Sequence, residues 1–365
     1  MKELMNHDLK LITEAHSVPM LSIYLSKENS SVDVKVLSDK WKESLTRAEF
    51  FLLKDYTKSF VNNFMESLWS SHIVETLESL DKGLIVFFSS TDAWYLKVQS
   101  TISDLVVVAD SFHIKPLIRI KNNESGFFLV SMSSKAISVF LETNGHLFRL
   151  DTYRNPMTLS DIGTNKVKPE DHREFVLQSA LEINKTLAAY KLPIILAGVR
   201  DHLGHMRKYL DHSMILSDSI IGNIERLKRD EIREKCFEIL QPFYNKKEEE
   251  AIAEIDQAVK KNHAITFIED IAISAVYGKI RKLFVMENKQ LWGSLNKNTG
   301  EIFISPRQTN SHDDDLLDDI SQIVLNKGGE VVVLKNAHNL KGFIAAAVVT
   351  DKSHLYDYNQ PYSTP

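Results

Sequence analysis

The chain has 365 residues, with 44 Lys or Arg against 49 Asp or Glu and a net charge of −5 at pH 7. That length exceeds what one hydrophobic core usually serves, so two or three domains are expected, and 43% hydrophobic residues with only 9 Pro and 13 Gly can fill their cores. The charge excludes a global pull toward a phosphate backbone, and the single cysteine, Cys236, excludes both an intrachain disulfide and a multi-cysteine zinc site.

The N-terminus, MKELMNHDLKLITEAH, interleaves charged and apolar residues, unlike a signal peptide. No segment approaches the roughly 20 uncharged apolar residues of a bilayer span, so a soluble, cytoplasmic protein without a membrane partner is expected. Residues 18–25, VPMLSIYL, read as a buried strand. Two helices follow: one presents Val36, Leu37, Trp41 and Leu45 on one face, the other Phe60, Phe64, Leu68 and Trp69. KGLIVFFSSTDAWYLKV then gives two strands, the first apolar throughout as a strand covered on both faces must be. The placement of Trp41, Trp69 and Trp94 among Leu and Phe points to core packing rather than to base stacking.

From Gly126, FFLVSMSSKAISVFLETNGHLFRL reads as three strands turning at Ser133–Lys135 and at Thr143–Gly145. Residues 152–171 carry two prolines and little periodicity, so they read as an exposed loop, longer than most connections within a domain. The helix HREFVLQSALEINKTLAAY, the strand PIILAGV, a helix through DHLGHMRKYL, the strand MILSDSIIG and a long charged helix complete a βββαβαβα order. Pro242 is expected to end or kink that last helix, placing a boundary near Asn245. Beyond it, helices and strands alternate to EVVVL and AAAVV, and Gly328–Gly329 suit a helix stop before a strand.

Chemical motifs are sparse. Asp201, His202, His205, Asp211 and His212 form the densest histidine cluster but lack the H-E-x-x-H pattern of a zinc hydrolase. Asp313, Asp314, Asp315, Asp318 and Asp319 read as the water-facing acidic first turn of a helix, favoured there by the helix dipole. Neither a phosphate loop, a dinucleotide fingerprint nor a nucleophile elbow occurs, so no cofactor is expected. The basic residues Lys166, Lys168, Arg173, Arg200 and Arg207 are placed to line one end of the middle region and are the candidate RNA-phosphate contacts.

The stretches DLKLITEAHSVPMLSIYLSK, HIKPLIRI with GFFLVSMSSKAISVFL, LPIILAGV with SDSIIGNIERL, and AVYGKIRKLFV with NKGGEVVVL follow one another over almost the whole chain. In that order they resemble the bacterial and archaeal proteins related to the archaeo-eukaryotic peptide chain release factor. The resemblance implies an α/β chain of three domains. These are an N-terminal α/β domain (1–120), a middle domain with a ribonuclease H-like mixed sheet (121–245), and a C-terminal α/β/α domain (246–365) like kink-turn-binding ribosomal proteins. It further implies a ribosome-, rRNA- or tRNA-associated factor in ribosome rescue or translation quality control.

Termination in that family uses a Gly-Gly-Gln loop before the long helix of the middle domain. Here Ile162 to Pro169 occupy that place without the tripeptide, which argues against peptidyl-tRNA hydrolysis by that route. Two alternatives remain open. A metal-dependent hydrolase or nuclease acting on phosphoesters needs several carboxylates meeting in one cleft. A protein-binding scaffold needs an exposed apolar patch without surrounding Lys or Arg.

Overall fold

The computed structural model describes residues 1–4, 9–15, 17–27, 32–70, 73–80, 82–98, 102–123, 126–133, 135–143, 146–155, 169–211, 213–335, 340 and 343–349. The first elements are β1 (Lys2–Glu3), α1 (Leu9–Thr13), β2 (Met20–Ser26), α2 (Val34–Asp55), α3 (Lys58–Trp69), α4 (Ile73–Glu78), β3 (Gly83–Phe88), β4 (Ala93–Val98), β5 (Leu105–Ala109) and α5 (Lys115–Asn123). Next come β6 (Phe127–Met132), β7 (Ala136–Thr143), β8 (His146–Arg154), α6 (Pro169–Leu187), β9 (Ile194–Gly198), α7 (Arg200–Tyr209), β10 (Ile215–Ile221) and α8 (Arg229–Lys260). The last are β11 (Ala264–Ile265), α9 (Ile268–Val276), β12 (Ile280–Met286), β13 (Trp292–Leu295), β14 (Ile302–Ile304), β15 (Asp314–Asp315), α10 (Leu316–Asn326), β16 (Glu330–Leu334) and β17 (Ala345–Val349). The chain is thus a mixed α/β protein with several sheets. It divides into two compact units, residues 1–122 with 250–365, and residues 123–249.

In the first unit β2 is buried at every position and lies inside a sheet of order β1-β4-β3-β2-β5. Its pleat sends Leu21, Ile23 and Leu25 against Leu37, Trp41 and Leu45 of α2, while Met20 and Tyr24 face the other side. Asp33 caps α2 by accepting from the Lys35 amide at 2.9 Å. Trp69 departs from the expected core role: the buried stripe of α3 is Val61, Phe64, Met65 and Leu68, and Trp69 stands 42% exposed, donating its indole N–H to Glu49 Oε1.

The C-terminal segment forms a sheet of order β11-β17-β12-β16 and a small antiparallel sheet β14-β13-β15. Ala251, Ile255 and Ala258 of α8 cover one face of the larger sheet, while α9 and α10 cover the other. That second face continues into the apolar side of the N-terminal sheet through Phe112, Ile114, Leu117 and Ile118, so one core runs through both segments. Each Leu, Ile or Phe fully buried there contributes about 1.5–3 kcal/mol.

The second unit follows the βββαβαβα order expected from the residue pattern. Its sheet has the order β10-β9-β6-β7-β8, with β6, β9 and β10 parallel and β7 antiparallel to both its neighbours. Phe128 and Val130 face α6 and α7, whereas Phe127 and Leu129 face Ile232, Cys236 and Leu240 of α8. A side chain at Gly126, whose φ is +96°, would collide with the Glu142 carbonyl, so only glycine opens β6. α8 runs on through Pro242 to Lys260, so the helix does not end at the proline. Pro242 removes one helical N–H donor, and apolar packing on both sides of it holds the helix.

Candidate functional site

Lys166 and Lys168, with most of the loop expected between Thr152 and Asp171, lie outside the described residues. Arg173 is exposed on α6 and donates its Nε to the Tyr209 hydroxyl at 2.9 Å. Arg200 opens α7 and is exposed. Arg207, near the other end of α7, is committed to the backbone: it donates to the carbonyls of Leu216 at 2.7 Å and Ser217 at 2.6 Å, and to the Ser219 hydroxyl at 2.7 Å. Those acceptors lie where the β9–β10 register shifts between Ile215 and Ser219, and the guanidinium fork satisfies them there. Arg200 and Arg207 are about 10 Å apart along the helix axis. Arg207 and the Arg173–Tyr209 pair therefore gather toward one end of α7, and Arg200 stands at the other.

His202 and His205 share α7, and burial lowers the pKa of His202. His212 lies outside the described residues. Among the described residues no group of three or more His, Cys, Asp or Glu is arranged to hold a metal ion.

A cleft of about 460 Å³ opens on the α8 face of the second unit's sheet. Its floor is built by register. Ser131 of β6 pairs with Ser138 of β7, and Ser138 pairs with Thr152 of β8, so three hydroxyl residues form a row across adjacent strands. Ser138 Oγ lies 3.2 Å from Thr152 Oγ1. Ser131 is 9% exposed, and its hydroxyl makes no hydrogen bond among the described residues. Phe140 and Leu227 contribute to the apolar walls, and Arg149, Arg229 and Glu225 are exposed charged residues on the lining. The Arg149 guanidinium lies over the Phe140 ring, 5.2 Å from its centroid. Glu225 is the one carboxylate among the described residues of this lining.

The acidic run of α10 departs from its expected wet environment. Asp313, Asp314, Asp315, Asp318 and Asp319 are all buried, the last four facing the connection from β5 to α5. Asp315 Oδ2 accepts from Lys115 Nζ at 2.6 Å, and its Oδ1 accepts from the amides of Leu291 at 3.0 Å and Leu317 at 3.2 Å. Asp318 Oδ1 accepts from the amides of Ile114 and Lys115, and its Oδ2 accepts from Gln322 Nε2 at 2.8 Å. Ser111 donates to Asp319, and the Asp110 amide donates to Asp314, each at 2.9 Å.

Burial, then repulsion from Asp315, raises the Asp318 carboxyl to about 7. Burial raises Asp314 and Asp319 as well, with Asp319 adding its repulsion to Asp314. His113, packed beside them and 3.6 Å from Asp318 Oδ1, is lowered to about 3 by burial. These hydrogen bonds tie residues 110–115 to α10, while His113 Nδ1 is buried beside them without one. The acidic run carried a helix-start signal in the sequence, but nothing local announced the partner strand end two hundred residues earlier.

The model of the bacterial archaeo-eukaryotic release factor family 3 matches residues 143–279. No curated protein matches the sequence. Among solved structures, the chain is similar to ribosome-bound archaeal Pelota, described with ABCE1, at 10% identity and a TM-score of 0.45, covering 96% of each chain. It is similar to Dom34 of S. cerevisiae at 14% identity and a TM-score of 0.41, covering 96% of this chain and 94% of that one. It is similar to the archaeal translation termination factor aRF1 at 13% identity and a TM-score of 0.26, covering 96% and 99%. The family match begins at the end of β7 and takes in α6, the two parallel strands beyond it, all of α8 and then α9. In that segment the chain is similar to the bacterial archaeo-eukaryotic release factor family 3.

Proposed function

We propose that the protein is a ribosome- or RNA-associated factor of cytoplasmic translation, acting in ribosome rescue or translation quality control without Gly-Gly-Gln-dependent hydrolysis. The observation that carries this reading is the family match over residues 143–279, in a chain with no Gly-Gly-Gln sequence anywhere. The strand order β8-β7-β6-β9-β10, with β7 alone reversed among the inner strands, supports a ribonuclease H-like middle domain. Helices on both faces of the β12 sheet support the α/β/α reading of the C-terminal domain. The three-domain division at 120 and 245 belongs to this reading.

Lys166, Lys168, Arg173 and Arg200 act as phosphate contacts in this proposal, while Arg207 holds β10 in place. No helix of the described residues is long and apolar enough to cross a membrane. Co-sedimentation with native ribosomes tests the reading. Binding at low salt that weakens as salt rises, as phosphate contacts require, supports it. A chain left in the supernatant at low salt, with or without stalled peptidyl-tRNA on the ribosomes, overturns it.

A further inference from the structure

The cleft on the α8 face of the second unit is a cavity with unspent hydrogen-bonding capacity. Ser131 is nine-tenths buried, yet its hydroxyl lines the cleft and has no partner among the described residues. The hydroxyl opens onto the cleft, so it is free to donate to and accept from a group that enters there. Phe127 and Leu129 precede Ser131 on the same face and are sealed by α8, whereas the floor at Ser131 and Ser138 lies open to the cleft.

The walls and lining charges narrow the class of ligand. Arg149 and Arg229 have no ion-pair partner among the described residues, and Glu225 offsets only one of the two charges. Arg229 is also the first residue of the 32-residue helix α8, where the dipole favours an anion. Phe140 with Arg149 over its ring offers a planar aromatic and guanidinium surface of the kind on which unpaired bases stack. A volume of about 460 Å³ lies within the range of small-molecule sites, roughly 300–1,000 Å³.

The geometry points to a nucleotide site: the cleft takes one nucleoside 5′-phosphate unit, its phosphate between Arg149 and Arg229, its base against Phe140 and Arg149, and a polar edge hydrogen-bonded to Ser131. The unit comes either from an unstacked residue of single-stranded RNA or from a free nucleotide, since both present the same phosphate and base. The RNA source rests on the function proposed above; the cleft chemistry does not.

Titration calorimetry on the full chain separates these sources, using AMP, GMP, CMP and UMP in one arm and single-stranded RNA pentamers in the other. Saturable binding of a mononucleotide, or of a pentamer alone, is the expected result. The double variant Arg149→Gln/Arg229→Gln weakens it at least tenfold, and Ser131→Ala weakens it severalfold with the melting temperature within a few degrees of the parent. Arg226→Gln, a neighbouring charge off the lining, leaves it unchanged. No saturable binding of any of these ligands at millimolar concentration overturns the site, as does binding indifferent to the double variant. Ribosome co-sedimentation measured beside it distinguishes failure of the cleft from failure of the translation-factor reading.

Discussion

Lys115 and Asp315, two hundred residues apart in the chain, form an ion pair of 2.6 Å in which neither side chain is exposed to solvent. The lysine makes a second bond to the Lys289 carbonyl at 2.5 Å, and the aspartate accepts two amides besides, so each partner of the pair has further hydrogen bonds. Removing the cation alone leaves Asp315 buried beside Asp318 with no compensating charge. We expect Lys115→Met to destabilise the protein by about 3–5 kcal/mol, measured by urea unfolding at pH 7.

The same cluster sets a pH dependence with two opposing parts. Asp318 titrates near 7 when folded and near 3.8 when free, so the folded state holds its proton more tightly. Its contribution is therefore fully present below about pH 4 and lost as pH rises toward 7. His113 is lowered from 6.5 to about 3, so its contribution is present above 6.5 and lost as pH falls through 3. We expect Asp318→Asn to lose less stability than the parent between pH 5 and pH 8, and His113→Gln to lose less between pH 6.5 and pH 3. Denaturation midpoints at these pH values check both; a slope unchanged in either variant contradicts the assignment to that residue.

Arg207 and Arg173 separate a structural arginine from an exposed one. Arg207 satisfies acceptors along the irregular part of β10, whereas Arg173 makes one bond to a tyrosine hydroxyl at the surface. We expect Arg207→Ala to cost about 1–3 kcal/mol of stability. Arg173→Ala and Arg200→Ala should stay within about 0.5 kcal/mol of the parent while weakening ribosome retention at low salt. Thermal melts beside co-sedimentation check the pattern.

What the sequence made legible follows from the range of the forces involved. The βββαβαβα order was readable because a turn residue such as Ser133 and the periodicity of Phe127 to Met132 act over a few positions. Burial of Asp314, Asp315, Asp318 and Asp319 was not, because their donors are the amides of residues 110–115 and the Lys115 ammonium, supplied by another part of the chain. The cleft was hidden for a related reason: Ser131, Ser138 and Thr152 become a row only through strand register. Pro242 pointed to a helix end because its local cost is real, yet α8 continues from the buried Leu240 before it to the buried Ala251 after it. Of the five arginines and lysines proposed for RNA, sequence could name the charges but not that Arg207 spends its donors inward.

Cys236 gives a chemical reading of the second unit's integrity. It is buried against Glu142 and the α8 face of the sheet, and burial, then the Glu142 charge, pushes its thiol up to about 12. A thiol that high is protonated at neutral pH, and the thiolate is the reacting species, so both access and ionisation oppose modification. We expect no reaction with a disulfide reagent at pH 8 over minutes in the native protein and one equivalent released in denaturant. Because Cys236 is the chain's only cysteine, the rate of labelling at intermediate urea reports opening of this core alone. Labelling that tracks the loss of helical signal in the Lys115→Met variant would mean the two units unfold together. Labelling that lags behind it would mean the buried ion pair holds only the unit to which it belongs.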